Sequence, residues 1–85
     1  MSIKPNIDTP STLDQVAVGA TAIVIQVLES SEIREHLAAR GIGPGVPVRV
    51  LKNGDPLLVA VDQSRWAIGR HHARSVAVVP AGDEP

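Results

Sequence analysis

Eighty-five residues with eight Lys and Arg against nine Asp and Glu make a short chain of net charge −1, with no basic run to track a phosphate backbone, which excludes nucleic acid as a natural partner. Cysteine, Phe and Tyr are absent and Trp66 is the only aromatic residue, so disulfides, thiolate metal sites and base-stacking platforms are excluded too. One domain of this size hides only about 60–65% of the surface of its unfolded chain, so a core of Val, Ile, Leu and Ala must hold it together.

Residues 1–11 carry Pro5, Pro10, Asn6 and Asp8 between scattered isoleucines and read as a flexible leader, and residues 81–85 read as a flexible tail. The domain proper is expected over 12–80. No apolar signal region opens the chain and no run approaches the roughly 18 apolar residues of a membrane span, so the protein is expected in the cytosol.

Thr12 and Gln15 form a capping-box pattern that predicts one helical turn, with Leu13 and Val16 on its apolar side and Gly19 ending it. The β-branched run at 20–28 predicts a strand, with Ile23, Ile25 and Val27 on one face and Val24 and Gln26 on the other. At 30–40 the period changes. Ile33 and Leu37 stand four apart among charges, which predicts a short amphipathic helix capped by Ser30 or Ser31 and favoured by Glu32, Glu35 and Arg40 at its two ends.

Three glycines and two prolines crowd the eight residues 40–47. With Arg40 as the C-cap, Gly41 takes the left-handed position and Ile42 folds back onto Leu37. Pro44 then forbids further helix, and Gly45 permits a turn. Val46, Val48 and Val50 alternate with Pro47, Arg49 and Leu51 in the next strand, and Pro47 predicts that it starts at an edge or a bulge. Asn53-Gly54 signals a hairpin into a strand at 57–61. Another strand follows at 65–69, then a loop or helical turn at 70–75, then a last strand at 76–79. The expected fold is all-β: a small SH3-like antiparallel barrel of about five strands with one short helix. An OB-type barrel is the competing topology, ranked second because its helix usually comes later in the chain.

In this order and spacing the chain resembles the FeoA family, ferrous iron transport protein A. The resemblance rests on Leu13, Val16 and Gly19, on Arg34, Leu37, Gly41, Ile42, Pro44, Gly45, Val48 and Val50, on Gly54-Asp55-Pro56, and on Ala73, Val76 and Val78. A short hairpin before Gly54 and the pair Ala39-Arg40 before the glycine depart from the usual pattern. The resemblance implies an SH3-like barrel without catalytic residues, acting as an accessory protein of ferrous iron uptake that binds FeoB, a membrane transporter with a cytosolic GTPase domain. The same fold is similar to the C-terminal domain of diphtheria-toxin-repressor-type regulators.

Candidate sites come from the residues themselves. His36, His71 and His72, with Glu32 one helical turn before His36, are the candidate ligands for Fe2+ or Zn2+. Two ligands fall short of a closed tetrahedral site, so a metal bridging two copies of the chain in a homodimer is the form such a site would take; otherwise these are exposed polar residues. No cofactor is required. Trp66 is either a partner anchor or the one large core filler. Arg65, Arg70 and Arg74 make the segment around it basic, either as a solvated rim or as a surface for an acidic partner. Ile42 and Pro44 form a corner that either faces a partner or only turns the chain. No nucleophile sits on a strand-to-helix elbow with an oriented base, and the 41–45 glycines lack the Gly-Lys-Ser/Thr and the helix of a phosphate loop. The leading expectation is a binding module at the transporter; the alternative is a metal-responsive regulatory domain that binds a divalent transition metal directly.

Overall fold

The computed structural model describes residues 11–28 and 30–81. Of the expected leader only Ser11 lies in that span, and of the expected tail only Ala81. The chain runs through β1 (Ser11–Thr12), a 3-10 turn (Leu13–Gln15), β2 (Thr21–Val27), α1 (Ser31–Ala38), β3 (Pro47–Lys52), β4 (Leu57–Val61), β5 (Ser64–Ile68), α2 (Arg70–Ala73) and β6 (Val76–Pro80). All strand pairs are antiparallel in the order β1-β6-β2-β3-β4-β5. Among the described residues six strands replace the about five expected, because Ser11 and Thr12 pair with Val78 and Ala77. β1 and β5 are the two edges among the described residues, and the sheet does not close by hydrogen bonds.

Alternation builds the core from β3 and β4. Val48 and Val50 point inward with Leu57, Val59 and Val61, while Arg49 is exposed, as the sequence pattern requires of a half-buried sheet. β2 departs from the expected phase. Its buried residues are Ala22, Val24 and Val27, and Ile25 is exposed. The register to β6 shifts between Val24 and Gln26; this bulge adds one residue, so the side chains change face partway along the strand. Pro47 does not mark an edge either. β3 lies between β2 and β4, and Pro47 is tolerated as its first residue, before the β4 ladder begins at Arg49.

Helix α1 ends in the predicted way. Ile42 N donates to Leu37 O at 3.0 Å and Gly41 N to Ala38 O at 2.9 Å, the two bonds of a Schellman motif with Gly41 at φ 80°. Gly45 N then donates to Val24 O at 2.8 Å and Val24 N to Val46 O at 3.0 Å, which staples the corner to β2. The Asn53 signal becomes a four-residue loop, 53–56, between β3 and β4. Asp62 and Gln63 make the tight two-residue turn between β4 and β5 instead, with Asp62 at φ 57°, a backbone that aspartate accepts more readily than most residues.

Candidate functional site

Two buried anchors set the first cluster. Leu37 on α1 and Ala73 on α2 are fully buried, and each follows a histidine, so His36 and His72 meet. Their ring centroids lie 5.8 Å apart in an edge-on arrangement, and His71 lies 5.8 Å from His72. The structure thus brings His36 beside the sequence-adjacent pair His71 and His72. His36 and His71 are exposed and His72 is half-buried, while Glu32 is exposed on the preceding turn of α1. Among the described residues no group of three or more His, Asp or Glu comes together to hold a metal.

The second cluster surrounds Trp66. In β5 it pairs with Val59 and therefore points to the core side, where it packs half-buried against the apolar cluster. Arg40 lies over its ring with Cζ 5.2 Å from the centroid, and Arg40 Nη1 donates to His36 O at 3.0 Å. One guanidinium therefore both closes the C-terminal end of α1 and covers the indole. The indole Nε1 is buried without a hydrogen-bond partner among the described residues. The sequence pointed to Arg40 only as a helix-end cation; its partner was hidden because the two residues meet across separate elements.

The arginines expected to form one basic rim stand on different elements. Arg70 is half-buried and latched: its Nη1 donates to Asn53 Oδ1 at 2.8 Å and Gly54 O at 3.1 Å, its Nη2 to Asp14 O at 3.5 Å, and its backbone N to Asp55 Oδ1 at 3.0 Å. It ties the 53–56 loop and the 3-10 turn to α2. Arg65 is exposed on β5, and Arg74 is exposed at the end of α2. The corner divides likewise, since Ile42 is 1% exposed and belongs to the core while Pro44 is exposed. Beside Pro44 runs a groove of about 400 Å3 bounded by Gln26, Arg34 and Ala38.

A search of curated proteins finds no match. Among solved structures, an iron uptake regulatory protein (FeoA) is 30% identical, with 82% of this chain and 95% of that one covered and a TM-score of 0.77. FeoA of Stenotrophomonas maltophilia complexed with zinc, described as a procaryotic SH3 domain protein, is 31% identical over 79% of this chain and 87% of its own, with a TM-score of 0.71. The SH3-like fold expected from the strand order is thereby shown. A manganese-dependent transcriptional repressor is 22% identical and gives a TM-score of 0.79 over 91% of this chain but 44% of its own length, a likeness of fold alone. The sequence model of the FeoA domain matches residues 11–80, the span from β1 through β6, and the chain therefore belongs to the FeoA domain family.

Proposed function

We propose that the protein is a non-catalytic accessory module of ferrous iron uptake, working from the cytosolic side by binding the FeoB transporter and modulating it through its GTPase domain. The observation that carries this reading is the match to the FeoA domain over residues 11–80, joined by 30% identity to an FeoA covered over 95% of its length. The architecture is compatible with a binding role, since the groove beside Pro44 is open to solvent. No helix among the described residues is long and apolar enough to cross a membrane, so contact with the bilayer would run through the partner. Exposed Pro44, Arg65 and Arg74 are the contact residues. Trp66 and Ile42 act from the core, and Arg70 by holding the 53–56 loop.

Co-purification of the tagged protein with FeoB from detergent-solubilised membranes tests this. Recovery of the transporter, reduced by R65Q/R74Q, is the expected result; no recovery from membranes that contain FeoB overturns it.

A second reading is favoured by one observation, the approach of His36 to His72 with His71 alongside. Zn2+ or Fe2+ would bind the imidazoles of His36 and His72, with a second copy of the chain completing the ligand set, and metal would then regulate assembly. Solution mass with and without Zn2+ tests it. A metal-dependent dimer that H36A abolishes is expected, and an unchanged monomer with no bound metal overturns it.

A further inference from the structure

We propose that the outer face of β3–β5, with the open edge of β5, docks an extended acidic segment of a partner protein. This rests on the binding-module reading above and specifies the partner's chemistry.

Among the described residues β5 ends the sheet and pairs only with β4. The two-residue turn at Asp62 and Gln63 makes Val61 and Ser64 a hydrogen-bonded pair. Antiparallel alternation then turns the N–H and C=O groups of Arg65 and Ala67 away from β4. These groups can template one more strand. The side chains beside that edge are charged on one face only. Arg49 pairs with Ala60, and Ala60 with Arg65, so the three share the outer face in one row across three strands. Strands lie about 4.8 Å apart, which puts the two arginines on either side of a methyl group. A shallow groove of about 290 Å3 lies between them, with Asp62 the one carboxylate on its border.

Strands β3, β4 and β5 carry Arg49, Lys52 and Arg65 and no acidic residue. Among the described residues neither the Arg49 nor the Arg65 side chain has a hydrogen-bond or ion-pair partner. Their forked donors match carboxylates. A strand added to β5 sets every second side chain on this outer face, beside Arg65. Alternating glutamates would therefore satisfy backbone and arginines together. Three cations on a chain of net charge −1, with Trp66 turned inward, favour this over a nucleic acid, whose binding needs a longer basic track or stacking platforms.

The test titrates the full chain, by amide-resolved NMR, with a capped peptide in which glutamate and valine alternate and with its glutamine counterpart. Amide shifts concentrated at residues 64–68 and at Arg49 are expected, with roughly tenfold weaker binding of the glutamine peptide and of R49Q or R65Q. Both arginines are exposed, and unchanged spectra elsewhere will show that the variants fold. Affinity should fall as salt rises from about 0.05 to 0.3 M. Equal binding of both peptides, shifts centred elsewhere, no saturation, displacement by a short DNA duplex, or self-pairing through β5 each overturn the proposal. Loss of the peptide site with full FeoB recovery by R49Q/R65Q sinks this surface and leaves the iron-uptake reading. Peptide binding without FeoB recovery does the reverse.

Discussion

At the scale of single residues, Gly41 and Arg70 show how differently two positions in this chain are constrained. Gly41 sits at φ 80° with room for a Cβ, whose nearest neighbour would be Val61 Cγ1 at 3.6 Å. Gly41→Ala therefore meets backbone strain and no clash, and should cost about 1 kcal/mol in urea unfolding. Gly43 has an ordinary φ and open space around it, so Gly43→Ala should change stability by less than about 0.5 kcal/mol. Equal effects of the two would contradict the Schellman geometry. Arg70 makes charge-assisted bonds to two loop acceptors and a third on the 3-10 turn. Arg70→Ala should cost about 1–2 kcal/mol and speed hydrogen exchange at 53–56, whereas Arg74→Ala, at an exposed position, should stay within about 0.5 kcal/mol. Arg74 and Arg70 looked alike in the sequence, because a latch to residues 14, 53 and 54 is a contact across more than fifteen positions of chain.

Elements obeyed their local patterns wherever the period was unbroken. β4 alternates without interruption, and α1 stops where glycine and proline require it. β2 did not, since a bulge is one inserted residue and leaves no mark in a run of β-branched side chains. The two assignments of its faces predict opposite mutational effects. Val24→Ala, in the core, should cost about 2 kcal/mol by denaturant titration, and Ile25→Ala, on the exposed side, less than about 0.5 kcal/mol. Should Ile25→Ala prove the costlier change, the bulge would be in the wrong place. Pro47 teaches a related point: a proline starting a strand restricts one N–H, not the strand's position in the sheet.

Over the whole molecule, one aliphatic core joins α1, α2 and the strands, and Trp66 packs on its margin. Unfolding followed by Trp66 fluorescence and by far-UV circular dichroism should therefore give coincident midpoints. Separate transitions would mean that the β4–β5 hairpin opens independently of the rest. The same core explains how the candidate sites arise. It fixes the directions in which α1 and α2 approach, and so brings His36 beside His72 and Arg40 over Trp66. It also leaves β5 as an edge with its arginine-lined outer face turned to solvent.

From its sequence alone, this chain determined an aliphatic all-β domain with a capped helix and a glycine-proline corner, because period, caps and turns act over a few neighbouring residues. The family resemblance was legible for the same reason, since its motif is made of those turns. Only the tertiary structure decided that Ile42 is core, that Arg70 is a latch, that the histidines cluster, and that Arg49 stands in line with Arg65. Each of these depends on strand register and on where the curled sheet stops, which are set by packing between segments distant in the chain.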